Sequence, residues 1–174
     1  MKWFFPIGET GRERIVEMLS DGLVLDVACG TGTLLAMAAP KGLKCYGMDL
    51  SRGMLAQAQH KVPSAELQQG SYYQMPYAAE TFDQVVATNA LSGESIDARE
   101  ALREMVRVCK TGGKVLIAEW PKAMEESITE RILVWFARLN DDAPKDYYGL
   151  FREMGYEPEA NMIGKRYYLF SIRK

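Results

Sequence analysis

The chain has 174 residues, 48% of them hydrophobic, enough to fill one core. Its 21 Lys and Arg against 23 Asp and Glu leave a net charge of −2 with no basic run, which weighs against affinity built on nucleic-acid phosphates. Cys29, Cys45 and Cys109 have neither paired nor metal-type spacing and read as buried thiols of a reducing compartment.

The opening "MKWFFPIGET" has too short an apolar run for a secretory signal, and no later stretch is long enough to span a bilayer, so a soluble cytoplasmic protein is expected. Trp3, Phe4 and Phe5 are left with three roles: closing a pocket, touching a membrane surface, or stapling the first helix to the core. In "ETGRERIVEML", Ile15, Val16 and Leu19 recur at helical spacing between charges, which predicts an amphipathic helix ending near "SDG". "LVLDVA" reads as the first strand, and "LLAMAAPKG" as a helix stopped by Pro40 and Gly42. "LKCYGMDLS" is a second strand, leading into the helical "RGMLAQAQHK", and "AELQQGS" a short third one. After the loop "YYQMPYAAE" comes a fourth strand in "TFDQVVATNA".

"SIDAREALREMVRVCK" is a helix with Leu102, Met105, Val106 and Cys109 on its apolar face; the turn "TGG" then leads to a fifth strand, "KVLIAEW". Helices are expected over "ESITERILVWFARLN" and "DYYGLFREMG", and two closing strands over the last residues. Strands alternating with helices of this length predict an α/β fold: a Rossmann-like doubly wound sheet of about seven strands, mostly parallel with one antiparallel strand, helices on both faces. No repeat, low-complexity tract or linker divides the chain, so residues 1–174 are expected to form a single domain.

In such sheets ligands bind at the carboxyl ends of the strands, where "ACGTG" sits. Gly30 and Gly32 permit close backbone approach, and the helix start offers N–H groups to an anion. The turn is not a P-loop, because "GTGTLL" lacks the lysine. Nor is it a full dinucleotide fingerprint, because Leu35 stands where the third glycine belongs. Asp26, inside the strand, is costly to bury unless a cation or several N–H donors meet it. S-adenosylmethionine fits: its carboxylate faces the helix start while its ammonium and sulfonium lie near the acid. Asp49 ends the second strand about twenty residues beyond the first glycine, where an acid accepts hydrogen bonds from both hydroxyls of a ribose. Leu50 is placed to pack on an adenine. The competing readings are that Asp26 ties backbone amides together, and that Asp49 caps the next helix, although Ser51 can serve as that cap.

The stretches "VLDVACGTG", "YGMDLS", "GSYYQMPYAAETFDQVVATNAL" and "ALREMVRVCKTGGKVLIAEW" together resemble the class I S-adenosylmethionine-dependent methyltransferases, in particular the group of type 11 domains with the ubiquinone and menaquinone C-methyltransferases. The likeness runs from about Leu23 to Trp120. It implies that Asp26, Ala28, Gly30 and Gly32 line the methionine part of the cofactor and that Asp49 and Leu50 hold ribose and adenine. It implies further that Gly70, Ser71 and Tyr72 approach the adenine amino group, with Ser71 where an acid is usual. Thr88, Asn89 and Ala90 match the segment under the sulfonium.

That resemblance implies methyl transfer from S-adenosylmethionine to a small molecule by in-line displacement, yielding S-adenosylhomocysteine. The aromatic and Met-rich loops suit an apolar or aromatic acceptor, no Asp or Asn set has the spacing of a metal site, and the acidic balance argues against a nucleic-acid partner. Asn89 is the candidate positioning group, and Glu119, Tyr72, Tyr73, Tyr147 and Tyr148 are further polar candidates at strand ends or loops. His60, the sole histidine, falls on the helix after the second strand, away from the cleft, and Asp83 precedes a strand. The loops near Tyr72 and Tyr147 and the N-terminal "MKWFFPIGE" are the expected lid. The alternatives are a non-catalytic cofactor-binding sensor or partner subunit, an RNA or protein methyltransferase, and a nicotinamide enzyme on a similar sheet.

Overall fold

A computed structural model describes residues 9–93, 95–119, 135, 145–163 and 167–174. Its elements in chain order are α1 (Glu9–Met18), β1 (Leu23–Val27), α2 (Thr33–Ala38), β2 (Lys44–Asp49), α3 (Arg52–Lys61), β3 (Glu66–Gln69), β4 (Phe82–Thr88), α4 (Ala98–Val108), β5 (Cys109–Glu119), α5 (Tyr147–Glu153), β6 (Glu159–Met162) and β7 (Tyr168–Arg173). They build one seven-stranded sheet in the order β3-β2-β1-β4-β5-β7-β6. Strands β1 to β5 pair in parallel; β7 runs antiparallel to both its neighbours, β5 and β6. The expected doubly wound sheet is therefore present, with β7 as its reversed strand. The helix expected over "ESITERILVWFARLN" lies, apart from Trp135, outside the described residues, as do Trp3, Phe4 and Phe5.

Side-chain parity along the central strands divides the core in two. Leu25 and Val27 of β1, Val85 and Ala87 of β4, and Val115 and Ile117 of β5 join Leu102 and Met105 of α4 and Tyr147 and Phe151 of α5 on one face. Val24, Val86, Leu116 and Ala118 point the other way, onto Ile15 and Val16 of α1 and Leu34 and Leu35 of α2. Asp26 shares the parity of Val24, so it projects toward the α1 side.

The boundary between α4 and β5 shifts for a physical reason: Cys109, expected on the helix's apolar face, is the first residue of the strand. The expected "TGG" turn is built into β5, which starts at Cys109 and carries a register shift against β4 at Phe82 and Gln84. A Cβ on Gly113 would sit 2.7 Å from the Asp83 carbonyl oxygen, so the strand can pass there only as glycine. Asp83 lies at the opening of β4, at the end of the sheet away from the cleft: its Oδ2 accepts the Leu23 N–H at 2.8 Å and its Oδ1 pairs with Lys110 Nζ at 2.8 Å. That pairing holds its carboxyl below the usual range.

Candidate active site

The carboxyl ends of β1, β2 and β4 open onto a cleft of about 770 Å³. The turn after β1 leaves the ordinary backbone regions three times, at Ala28 (φ 55°), Gly30 (φ 55°) and Gly32 (φ 71°). The two glycines then divide their work. Among the described residues beyond its chain neighbours, a Cβ added to Gly30 would meet no atom within 4 Å, and Gly30 lines the cleft. A Cβ on Gly32 would stand 3.0 Å from the Ala58 Cβ, so Gly32 is the contact between the start of α2 and α3 and does not line the cleft. Gly32, expected at the methionine end of the cofactor, is placed by the structure at this helix contact.

The first N–H of the turn is also committed. Gly30 N–H donates to Asp49 Oδ2 at 2.9 Å, while Asp49 Oδ1 accepts the Ser51 N–H at 2.8 Å. The N–H groups expected to face an anion belong to the helix start at Thr33, beyond this committed N–H. Ser51 caps α3 through its own Oγ, which accepts the Met54 N–H at 3.3 Å, so Asp49 is not that helix's cap. Each carboxylate oxygen has a second lone pair, which leaves Asp49 able to accept two further donors on its cleft side.

Asp26 is 1% exposed, and its Oδ2 is buried without a hydrogen-bond partner among the described residues. Burial raises its carboxyl to about 8; Arg12 of α1 opposes that rise and Asp49 adds to it. A buried carboxyl group with an orphaned oxygen on a cleft wall lacks its partner, and a cationic group would both satisfy the oxygen and restore the charge. The α-ammonium of S-adenosylmethionine fits that requirement, and Asp49 fits a ribose. Cys29 also lines the cleft, but burial pushes its thiol up to about 12, which leaves it unreactive.

Leu50, 72% exposed, and Met54 form an apolar lip beside Asp49. Gly70 brings the chain close: its Cβ would be 2.9 Å from Pro76 Cδ. Ser71 Oγ accepts the Tyr73 N–H at 3.2 Å and so steadies its own turn. Tyr72 and Tyr73 pack edge to face with centroids 4.6 Å apart, and the Tyr73 hydroxyl accepts the Asp97 N–H at 3.0 Å, tying two cleft loops together. Glu104 and Arg107 of α4 hold the loop from beneath: Glu104 Oε2 accepts the Met75 N–H at 2.8 Å, and Arg107 donates to the Met75 and Tyr77 carbonyls.

At the tip of β4, Asn89 adopts φ 52°, its N–H donates to the Ala118 carbonyl at 3.1 Å, and its Oδ1 is buried without a partner among the described residues. Glu119 explains how that strained tip is held. Its carboxylate, 2% exposed at the end of β5, takes the N–H groups of Ala90 and Leu91, the latter at 2.9 Å. Glu119, a candidate for chemistry by sequence, works as a backbone anchor.

The cleft thus gathers Asp26, Ala28, Gly30, Asp49, Leu50, Gly70, Ser71, Tyr72, Tyr73, Thr88, Asn89 and Ala90. Other candidates fall elsewhere. Tyr147 is wholly buried against Phe170, centroids 5.6 Å apart, and belongs to the core where a lid was expected. Tyr148 is exposed outside the cleft, and His60 is exposed at the end of α3. Sequence reasoning missed Arg12 and Ile96 in the lining; Arg12 was hidden because it stands fourteen residues before its partner Asp26, on a helix read only for its apolar face. Among the described residues no group of His, Cys, Asp or Glu could hold a metal ion, and no helix is long and apolar enough to cross a membrane.

A family model described as a methyltransferase domain matches residues 25–117, more than half of the chain and the whole of the sheet's parallel core apart from its ends. The chain belongs to this family, the class I S-adenosylmethionine-dependent methyltransferases. This methyltransferase-family chain is 39% identical, over 84% of its length, to demethylmenaquinone methyltransferase of Bacillus mycoides, and spans 65% of that relative. It is 38% identical, over 56% of its length, to the demethylmenaquinone methyltransferase of Renibacterium salmoninarum, and spans 40% of that one. Its fold superposes with a TM-score of 0.75 on magnesium protoporphyrin IX methyltransferase of Synechocystis, solved with bound S-adenosylhomocysteine; the two are 18% identical, over 94% of this chain and 82% of that one.

Proposed function

We propose that the protein moves a methyl group from S-adenosylmethionine to a small ring acceptor of the reduced-quinone type. The observation that carries the cofactor is the orphaned, buried Oδ2 of Asp26, which a cationic amino-acid end would satisfy, beside the open face of Gly30. The acceptor class is supported by the demethylmenaquinone activity named for the relatives and by the apolar and aromatic lining at Tyr72, Tyr73, Ala90 and Ile96.

When bound, S-adenosylmethionine supplies a methyl group on a positively charged sulfur that leaves with its electron pair. The chain's own residues then have an alignment task. Asp26 takes the ammonium, Asp49 takes the ribose hydroxyls, and Leu50 and Met54 cover the adenine. Asn89 Oδ1 would accept a hydrogen bond from the acceptor's ring hydroxyl and so turn the nucleophilic ring carbon toward the cofactor; as the new C–CH3 bond forms, the S–CH3 bond breaks onto sulfur and the ring carbon's proton leaves to water. Such fixed orientation supplies much of the barrier reduction in a displacement. Tyr72 and Tyr73 exclude water over that end.

The test is transfer of label from methyl-tritiated S-adenosylmethionine to a demethylated naphthoquinol, with the product identified by mass. A product one methyl heavier supports the reading. Tight binding of S-adenosylhomocysteine with no labelling of the quinol, and labelling of a different fraction of a cell extract, would overturn the acceptor while keeping the cofactor.

A further inference from the structure

Tyr73 and Ile96 both line the cleft, although they belong to different loops. Ile96 is half-buried between two exposed neighbours, Ser95 and Asp97, so an apolar side chain is turned inward from a loop that otherwise meets solvent. The two loops join at the Tyr73 hydroxyl, which accepts the N–H of Asp97, one residue beyond Ile96, at 3.0 Å. Tyr72 extends the same surface by packing edge to face on Tyr73. Three side chains thus make one continuous wall in the cleft that also holds Asn89 and Ala90.

The chain itself holds this wall in place. At one end Ser71 Oγ accepts the Tyr73 N–H at 3.2 Å. At the other, the Ile96 carbonyl accepts the Ala98 N–H at 3.1 Å and also the Lys145 ammonium. Asp97 is fixed in turn as the cap of α4, where its Oδ1 accepts the Glu100 N–H at 3.2 Å. Ile96 is β-branched, which restricts its side chain further. A surface tied down this way selects by shape, because a ring that does not fit must break hydrogen bonds as well as move side chains.

We infer that Tyr73 and Ile96 determine which acceptor the site takes, as the wall against which a flat ring lies while its hydroxyl meets Asn89 Oδ1. This rests on the methyl-transfer reading above and deepens it by naming the residues that set the width of the acceptor end. The cofactor contacts proposed there come from the tips of β1 and β2 and the start of α3, so the wall can be altered without touching them.

Steady-state kinetics with two acceptors of different width, a demethylated naphthoquinol and its single-ring benzoquinol counterpart, test this on the parent chain, Ile96→Phe, Ile96→Ala and Tyr73→Phe. Ile96→Phe narrows the cleft and should shift the kcat/KM ratio toward the single-ring quinol by about tenfold or more, the usual scale for a small change of volume in an apolar pocket. Ile96→Ala widens the cleft and should shift the ratio the opposite way. Tyr73→Phe keeps the ring but removes the tie, so KM for both quinols should rise about fivefold, the worth of one hydrogen bond, and the Asp97 amide should exchange faster. S-adenosylhomocysteine should bind all four chains alike, which shows that the fold and the adenosine site are intact. The assignment is overturned if the two Ile96 variants leave the ratio unchanged or move it in the same direction, or if S-adenosylhomocysteine weakens in step with the quinols. A parent chain that methylates neither quinol would overturn the acceptor class itself, and this assignment with it.

Discussion

Asp49 and Gly30 join the tips of β2 and β1 through one hydrogen bond, Gly30 N–H to Asp49 Oδ2 at 2.9 Å. The bond makes the acid part of the glycine turn, so the conformation of the turn and the position of the Asp49 carboxylate, the proposed ribose acceptor, are set together. Asp49→Ala should lose both: a stability decrease of about 1–3 kcal/mol from the uncapped N–H groups, and at least a tenfold weaker affinity for S-adenosylhomocysteine. Asp49→Asn keeps one acceptor oxygen and should fall between. Chemical denaturation and calorimetry measure the two effects separately, and an Asp49→Ala chain with unchanged affinity would remove Asp49 from the site.

Asp26 gives a pH signature. With its carboxyl raised to about 8, the ligand-free protein carries it mostly protonated at pH 7, and meeting an ammonium requires the proton to leave. Binding should therefore release close to one proton at pH 7, and affinity should rise with pH between about 6 and 8. Calorimetry in buffers of different ionisation enthalpy counts the proton; Asp26→Asn should release none.

The same shift fixes the sign for stability. The native state holds this proton across the window from the ordinary carboxyl value of 3.8 up to about 8, and the unfolded chain does not, so Asp26 makes stability fall as pH rises through that window. Thermal unfolding of the ligand-free protein between pH 5 and 8 should show a smaller decline in Asp26→Asn than in the parent.

Gly30 and Gly42 both have positive φ and open space where a Cβ would stand, yet only Gly30 borders the cleft. Gly30→Ala and Gly42→Ala should each cost about 1 kcal/mol for the left-handed backbone. Only Gly30→Ala should also weaken S-adenosylhomocysteine binding, because its methyl group occupies ligand space. Equal affinity in both variants would place the ligand elsewhere.

Glu119 should behave as an anchor. Glu119→Ala leaves the Ala90 and Leu91 N–H groups buried and unpaired, costing about 1–3 kcal/mol each before relaxation, while Glu119→Gln retains an oxygen that can accept both. Faster hydrogen exchange at Ala90 and Leu91 in the Ala variant, and recovery in the Gln variant, is the expected pattern; equal exchange in the two variants would contradict it.

Much of the fold was legible because apolar periodicity reports directly on which face of a strand or helix is buried: Leu102, Met105 and Val106 of α4 pack as their spacing predicts. That Asp26, Gly30 and Asp49 would meet at one cleft was legible because a carboxylate and bare glycines have few reasons to sit at strand tips. Three features were not. Tyr147 and Tyr148 are adjacent, and only the rotation of α5 decides that the first enters the core and the second meets solvent. Gly32 looks like Gly30 in sequence, and its contact with Ala58 depends on how α3 lies against α2. Glu119 reads as a reactive acid until the N–H groups it accepts from the tip of β4 are known.

What fills the cleft decides these assignments together, and a crystal structure with S-adenosylhomocysteine is the most direct test. The ammonium should lie within about 3.2 Å of Asp26 Oδ2, a hydrogen-bonding distance, with the ribose hydroxyls on Asp49 and the adenine beside Leu50. A ligand bound the other way round, or clear density for it anywhere but this cleft, would contradict the assignment.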